Sequence, residues 1–189
     1  MALRILVTDY QWPDLEIERE VLRPVNAELV VAPDGQEATL VELAQGCAGI
    51  MTCWAQTTRA VIAAALPDLK VIARYGIGLD NIDIPFATEK GVPVGYVPTY
   101  CVDEVAEHTL AYILALARKT SQFNRRTLEG VWDLSEGMPI RRIKGKRLGL
   151  IGFGNIGREV ALRARAFGME ICVSDPILSA AQARETVIA

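Results

Sequence analysis

The stretch LGLIGFGNIGREVALRARAFGMEICVSD, residues 148–175, constrains the fold of this 189-residue chain more than any other. Its apolar run leads into three glycines spaced G-x-G-x-x-G, then an amphipathic helical stretch, a second apolar run and an aspartate. A strand, a glycine turn, a helix and a second strand are the parts of a parallel β-α-β unit. We therefore expect an α/β protein with a parallel sheet covered by helices.

Each glycine of this turn has a physical reason for its position. Gly152 permits the tight turn, Gly154 lets the backbone approach a pyrophosphate, and Gly157 lets the helix pack closely on the strand. Amides at the positive end of the helix dipole then face the phosphates. Asp175 lies near the ~20-residue offset of an acid that binds the adenosine ribose hydroxyls and repels a 2′-phosphate. The pattern predicts NAD as cofactor rather than NADP; the alternative is a compact turn with a solvated strand end.

The first hundred residues alternate short β-branched runs with amphipathic stretches, which predicts parallel strands joined by helices. The series resembles the flavodoxin-like version of the doubly wound fold. Strands are predicted at 4–8, 28–32, 49–53, 70–73 and 93–97, and helices at 14–22, 37–44, 58–66 and 85–90.

The remaining residues open with one long helix, predicted over 101–119. Its apolar residues, among them Leu110, Ile113 and Leu116, spread around more than one face, so burial on several sides is expected. A connecting arm with a little helix is predicted over 120–144. The second sheet is predicted to contain strands 147–151 and 170–174 and helix 155–167, which places the domain boundary near residue 100.

Composition excludes several function classes. The formal net charge of −3 and the interspersed basic residues provide no cluster for nucleic acid or an anionic membrane. Asp9 interrupts any signal-peptide core and no apolar stretch is long enough to cross a bilayer, so a cytoplasmic location is expected. The four cysteines form no C-x-x-C pair and are expected to be small buried residues, with no disulfide or metal site. They are Cys47, Cys53, Cys101 and Cys172.

Three stretches together resemble the D-isomer-specific 2-hydroxyacid dehydrogenases, most closely the branch that includes the C-terminal-binding proteins, with phosphoglycerate dehydrogenases as relatives. They are VIARYGIGLDNID at 71–83, VPTYCVDEVAEHTLAYILALARK at 97–119 and IKGKRLGLIGFGNIGREVALRARAFGMEICVSDP at 143–176. The resemblance implies a flavodoxin-like substrate domain over residues 1–100, followed by an incomplete Rossmann NAD-binding domain over 101–189. A small 2-hydroxy or 2-oxo acid is the implied substrate.

The resemblance also implies roles for individual residues. A loop after the fourth strand offers backbone amides to the substrate carboxylate, and Trp54 lines the same side, although a surface or packing tryptophan is an equal alternative. For the loop, the alternative is a glycine turn without ligand. A homodimer through the long helix and the arm is implied. The loop residues are Tyr75, Gly76, Ile77 and Gly78, and the cofactor residues are Thr109, Gly152, Gly154, Asn155, Ile156, Gly157, Asp175 and Pro176.

In the family, the catalytic Arg, Glu and His follow the ribose-binding acid. The resemblance therefore implies that this chain is an amino-terminal portion without catalytic residues and inactive alone, with exposed strand edges that favour association. His108 is expected to be structural, and Arg74 to support the glycine loop. The alternatives are a non-catalytic NAD-binding scaffold, like a corepressor, and a remnant without function.

Overall fold

A computed structural model describes residues 2–179 and 182 of the chain. The chain forms two compact units, the first ending at Tyr100 and the second beginning at Cys101. Among the described helices, none combines the length and the apolar character needed to cross a membrane.

The first unit is a five-stranded parallel sheet with helices between the strands, in the order β2-β1-β3-β4-β5. This is the flavodoxin-like order, and it confirms the predicted fold class. The strands are β1 (Leu3–Val7), β2 (Ala27–Val31), β3 (Gly49–Thr52), β4 (Val71–Arg74) and β5 (Val94–Gly95). The helices are α1 (Glu16–Leu22), α2 (Glu37–Ala44), α3 (Arg59–Ala65) and α4 (Ile84–Glu89), with a 3-10 turn at Arg23–Val25.

Strand β5 is shorter than predicted, two residues instead of five. The amide of Val97 donates to the carbonyl of Gly76 at 3.2 Å. The chain thus leaves the ladder after Gly95 and turns toward the loop that follows β4.

The core of the first unit lies between the sheet and its helices. Leu6, Ile50 and Ile72 come from three adjacent strands and are at most 1% exposed. Helices contribute Leu40 and Ile62, both fully buried. Full burial of such a side chain contributes about 1.5–3 kcal/mol. This packing holds the carboxyl ends of β1, β3 and β4 in one row, where ligands bind in such folds.

The second unit has a two-stranded parallel sheet. Its elements are α5 (Val102–Arg118), α6 (Thr120–Leu128), a 3-10 turn at Ser135–Gly137, β6 (Arg147–Ile151), α7 (Asn155–Ala166) and β7 (Glu170–Ser174). Lys119 separates the two helices with a φ of 54°, in the left-handed region. Residues 101–189 thus begin with the long helix that the sequence predicts, followed by a second helix of nine residues.

The expectation that α5 is buried on several sides is wrong for the described residues. Only Ala106 and Leu110 of this helix are buried, and they pack with Val160 and Ala164 of α7. Tyr112 is 61% exposed and Leu116 is 77% exposed. A single covering layer buries a single stripe of a helix, so the other apolar residues of α5 remain at the surface.

The two-stranded sheet is likewise covered on one face. Leu148, Leu150 and Ile171 pack against the cluster of α5 and α7, whereas Ile151 is 98% exposed. Cys172 is exposed too. The expectation that all four cysteines are buried is therefore wrong for Cys172, because side chains alternate between the two faces of a strand. Cys101 is only partly buried, so the expectation holds for Cys47 and Cys53 alone.

Candidate functional site

The turn between β6 and α7 has a backbone that only glycine adopts easily at its first position. Gly152 has a φ of +89°. Its amide donates to the carbonyl of Ser174 at 2.8 Å, which is the last rung between β6 and β7. A side chain at this φ is strained, so Gly152 fixes the reversal from strand to helix.

The other two glycines of the turn differ in their surroundings. A β-carbon at Gly157 would lie 2.6 Å from the carbonyl oxygen of Gly152, a distance that forces backbone to move. A β-carbon at Gly154 would meet no described atom within 4 Å. Gly157 is therefore required for the helix to approach the strand, whereas Gly154 leaves open space where a ligand group can approach the backbone.

Helix α7 presents unpaired amides to this space. Its first intrahelical bond runs from the amide of Arg158 to the carbonyl of Gly154 at 3.1 Å. The amides of Asn155, Ile156 and Gly157 precede that bond and have no acceptor within the helix, as at any helix start. These amides and the positive end of the helix dipole suit a phosphate group.

Arg158 adds a positive charge to the turn, a contribution that the glycine motif does not predict. Its Nε donates to the carbonyl of Phe153 at 3.1 Å, and its guanidinium lies 5.8 Å from the centre of the Phe153 ring. Phe153 is only 1% exposed, so this variable position of the motif anchors the turn in the core. The sequence signal for this contact is a basic residue in the first turn of the helix that follows a glycine motif.

Asp175 ends β7 beside the glycine turn. Its Oδ2 accepts the amide of Phe153 at 2.7 Å, and its Oδ1 accepts the amides of Ile177 at 2.8 Å and Leu178 at 3.2 Å. The Phe153 amide, followed by that of Ile177, holds the pKa of Asp175 below its ordinary value. A carboxylate has about four acceptor positions, so one remains beyond these three bonds. Asp175 thus stabilises the glycine turn through the Phe153 amide as well as facing it. The position of Asp175 in the sequence does not reveal this hydrogen bond.

Thr109 and Pro176 complete the predicted cofactor residues. The Thr109 hydroxyl donates to the carbonyl of Val105 at 2.8 Å within α5, which leaves its lone pairs as acceptors. Pro176 lies next to Asp175, in the turn whose amides that carboxylate binds. Thr109 lies on α5, outside the glycine turn.

The predicted substrate loop follows β4 in the first unit. The Tyr75 amide donates to the carbonyl of Thr52 at 3.0 Å, so the loop begins on the β3–β4 ladder. The Tyr75 ring meets Trp12 edge-on with centroids 4.7 Å apart, and its hydroxyl contacts Met51 Sδ at 3.7 Å. Burial, followed by the nearby Glu18 carboxylate, raises the pKa of Tyr75. The Tyr75 side chain is therefore a neutral packing group.

The glycines of this loop are close to side chains of their own unit. A β-carbon at Gly76 would lie 2.8 Å from Nη1 of Arg74, and one at Gly78 would lie 2.9 Å from Oδ1 of Asp80. Arg74 Nε also donates to Oδ1 of Asn81 at 3.1 Å. Arg74 thus crosses Gly76 and holds the loop, as the sequence analysis expects. Ile77 lies between the two glycines.

Asp9, at the carboxyl end of β1, organises the neighbouring loop after β3. Its Oδ1 accepts the Cys53 amide at 2.9 Å, its Oδ2 accepts the Trp54 amide at 2.6 Å, and Thr8 donates its hydroxyl at 2.7 Å. Burial raises the pKa of Asp9, but these hydrogen bonds together lower it by more. The pKa of Asp9 therefore lies below its ordinary value. The Trp54 side chain is 58% exposed beside this anchor. The motifs of the sequence do not predict this role of Asp9; its sequence signal is an acid soon after a parallel strand.

His108, the one histidine of the sequence, lies on the exposed side of α5. Its ring meets the Tyr112 ring edge-on, with centroids 4.5 Å apart. Over residues 2–179 and 182, no group of three or more His, Cys, Asp or Glu is arranged to hold a metal ion.

Residues 5–188 match the family described as D-isomer specific 2-hydroxyacid dehydrogenase, catalytic domain. The hydroxypyruvate reductase of Thermotoga maritima is 48% identical over 115 residues, covering 61% of this chain and 37% of the relative. The D-3-phosphoglycerate dehydrogenase of Methanocaldococcus jannaschii is 38% identical over 176 residues, covering 93% of this chain and 33% of the relative.

Solved structures show the same likeness. A D-lactate dehydrogenase from Aquifex aeolicus, complexed with NAD and lactic acid, matches with a TM-score of 0.82 and 25% identity, over 97% of this chain and 54% of that chain. An NAD-dependent formate dehydrogenase from Staphylococcus aureus, in complex with NAD, matches with a TM-score of 0.77 and 27% identity, over 92% and 56%. The chain spans about a third of the length of the two curated relatives named above.

Proposed function

The chain belongs to the D-isomer specific 2-hydroxyacid dehydrogenase family, and on that premise we propose that it contributes NAD binding and substrate binding to hydride transfer between NAD and a 2-hydroxy or 2-oxo acid. When bound, the cofactor would accept the hydride in its oxidised form and donate it in its reduced form. Residues 1–100 form the substrate domain in this proposal, and residues 101–189 belong to the Rossmann domain.

The glycine turn is the observation that carries the proposal. Open space beside Gly154 receives the pyrophosphate, and the amides of Asn155 and Ile156 bind its oxygens. Gly152 and Gly157 shape the turn, as their φ and close approach require. The residues present therefore fit a dinucleotide phosphate.

The remaining cofactor contacts are proposed around this turn. The free acceptor position of Asp175 binds the adenosine ribose, and its negative charge selects NAD over NADP. Pro176 flanks that contact, and the Thr109 hydroxyl reaches the cofactor phosphates.

The loop after β4 is the proposed substrate element. Amides from Gly76 to Gly78 bind the substrate carboxylate, and Trp54 bounds the same side. Support comes from the position of this loop at the carboxyl end of the parallel sheet, where ligands bind in open α/β folds. The Tyr75 side chain packs inward, so Tyr75 contributes backbone rather than its hydroxyl.

We also propose that the 189 residues do not reduce 2-oxo acids by themselves. Proton transfer to the substrate oxygen calls for a positioned acid such as histidine. The sequence contains one histidine, and the ring of His108 contacts the ring of Tyr112 on the exposed side of α5. A cytoplasmic location stays a prediction.

A homodimer through α5 and the arm is proposed as the assembly. Exposed apolar side chains on these elements support it, among them Leu116, Leu128 and Trp132, which are 77%, 81% and 87% exposed. Arg126 Nη2 donates to Glu136 Oε1 at 2.7 Å and ties the 3-10 turn of the arm to α6. Sedimentation of the wild-type chain and of Leu116→Glu tests this: the variant should shift from dimer to monomer.

Titration calorimetry with NAD and NADP tests the central proposal. The wild-type chain should prefer NAD, and Asp175→Ala should lose most of that preference. Asp34→Ala is the matched control, because Asp34 also accepts a backbone amide, that of Gln36 at 3.0 Å, but lies in the first unit. Absence of NAD binding, or equal behaviour of the two variants, contradicts the proposal. If a protein of the relatives' full length binds NAD but shows no turnover, the non-catalytic scaffold alternative is favoured.

A further inference from the structure

The second residue of the glycine turn, Phe153, lies between two peptide units that are both held by hydrogen bonds. The amide of Phe153 donates to Oδ2 of Asp175 at 2.7 Å. The carbonyl of Phe153 accepts a hydrogen bond from Nε of Arg158 at 3.1 Å. The Phe153 side chain is only 1% exposed, so the residue is held by the core as well. Both peptides that flank Phe153 therefore have a defined orientation.

The peptide from Phe153 to Gly154 is the one that depends on the Arg158 side chain. This peptide is trans, so its carbonyl and its amide point in opposite directions. The hydrogen bond from Arg158 to the Phe153 carbonyl therefore directs the Gly154 amide away from the Arg158 side chain. In the described part of the chain, no acceptor is found for that amide.

The next peptide, from Gly154 to Asn155, is held by the main chain of the same arginine. The Arg158 amide donates to the carbonyl of Gly154 at 3.1 Å. Arg158 thus binds two successive carbonyls, one through its side chain and one through its amide. The amides of Gly154 and Asn155 lie on the opposite sides of these peptides and point away from both bonds. The Asn155 amide is one of those proposed for the pyrophosphate.

Glycine makes the Phe153–Gly154 peptide the easiest of these to rotate. A peptide rotates as a unit when ψ of one residue and φ of the next change together. Gly154 has a φ of −73°, and rotation of the peptide would move this φ into the positive range. Glycine populates positive and negative φ about equally well, so the backbone alone does not oppose the rotation. The Arg158 hydrogen bond is the contact that opposes it.

We infer that Arg158 is a positioning residue for the glycine turn: its Nε holds the Phe153–Gly154 peptide, so that the turn is already arranged for a phosphate before one binds. The inference rests on the proposed function, because the turn is the proposed pyrophosphate site. A turn that adopts the competent arrangement only part of the time binds more weakly, since the apparent dissociation constant is the intrinsic one divided by the competent fraction.

The charge of Arg158 offers a different contribution, direct attraction of the phosphates by an exposed guanidinium. Two substitutions separate the roles. Arg158→Gln keeps a nitrogen donor bonded to Cδ, where arginine has Nε, and removes the charge. Arg158→Lys keeps the charge and has a methylene group at that position. Arg158→Met has neither the donor nor the charge.

Calorimetry with NAD and the ¹⁵N resonance of the Gly154 amide test the inference on the 189-residue chain. That resonance responds to hydrogen bonding at the preceding carbonyl. Arg158→Lys and Arg158→Met should move it and weaken NAD binding by about fivefold, as expected for one net hydrogen bond. Arg158→Gln should leave the resonance near its wild-type position and bind NAD within about twofold of wild type. The control Arg19→Met makes the same change on α1, in the first unit, and should alter neither quantity.

Three results overturn the inference. Normal affinity in Arg158→Lys together with a loss in Arg158→Gln assigns the effect to charge. Equal losses in all three Arg158 variants, or unchanged affinity in Arg158→Met, overturn it as well. If the wild-type chain does not bind NAD, the proposed function fails, and the Gly154 resonance then decides the positioning role by itself. Movement in Arg158→Lys and Arg158→Met but not in Arg158→Gln supports that role, and any other pattern overturns it.

Discussion

Two glycine-rich turns of this chain look alike in sequence but differ in what fills the space beside them. Each follows a parallel strand, Gly76 and Gly78 after β4 and Gly152 to Gly157 after β6. In the first, the unit's own Arg74 and Asp80 occupy the space that a β-carbon would need. In the second, the space beside Gly154 is open. A glycine pair after a strand therefore indicates close approach, but the approaching group can be the chain itself.

The two turns share one device, a carboxylate that binds backbone amides. Asp9 holds the loop beside the first turn through Cys53 and Trp54, and Asp175 holds the second through Phe153. Both pKa values lie below their ordinary range, because amide donors favour the charged form. The following tests are ordered by expected effect on the free energy of unfolding.

Gly157→Ala should have the largest effect. Its β-carbon meets the Gly152 carbonyl oxygen at 2.6 Å, and backbone cannot yield cheaply. We expect a loss of about 1–3 kcal/mol, measured by urea unfolding, together with weaker NAD binding. Gly149→Ala in β6 is the control, since a β-carbon there meets nothing within 4 Å. Equal stability of the two variants contradicts the close-packing role of Gly157.

Asp9→Asn should come next, at about 1 kcal/mol near neutral pH once solvent screening of this partly exposed group is considered. The folded pKa of Asp9 lies below its ordinary value of 3.8, so the carboxylate stabilises the fold above that pH. This contribution is lost as the pH falls through the folded pKa. The difference in unfolding free energy between wild type and variant should therefore shrink as the pH falls from about 5 to values below 3.8. A difference that is constant over this range would show that Asp9 acts through shape alone.

Gly76→Ala should cost less than about 1 kcal/mol, although its β-carbon meets Arg74 Nη1 at 2.8 Å. The contact is with the end of a flexible side chain, which can move away. In an Arg74→Ala background the cost should disappear, and a double-mutant cycle measures this coupling. A cost that persists without Arg74 would place the constraint in the backbone.

Gly154→Ala should have the smallest effect on stability, about 0.5 kcal/mol or less, because nothing lies within 4 Å of its β-carbon. The same β-carbon occupies the space proposed for the pyrophosphate, so NAD affinity should fall by about tenfold. Calorimetry and urea unfolding on one preparation separate the two quantities. Unchanged NAD affinity would remove Gly154 from the proposed site.

Sequence patterns predicted most elements closely, and the failures have physical causes. Strands β6 and β7 have the predicted bounds, since an uninterrupted apolar run ends at a glycine or an acid. The prediction for β5 is too long because the Val97 amide donates to the carbonyl of Gly76. That hydrogen bond joins residues far apart in the chain, so local periodicity does not reveal it. The burial of α5 was overestimated because apolar residues in a helix do not show which of them meet a partner.

The candidate site shows the same division. The motif from Gly152 to Gly157 and the acid Asp175 can be found from spacing alone. Arg158 and Asp9 were missed, because their roles depend on which carbonyl or amide the fold brings within hydrogen-bonding distance.

The sequence by itself determined the alternation of strands and helices, the glycine turn and its acid, because these depend on local periodicity and on backbone freedom at single residues. Only the tertiary structure decided which groups fill the space beside each glycine and which amides Asp9 and Asp175 bind. Those features are contacts between distant segments, and a contact exists only once packing has fixed the distances.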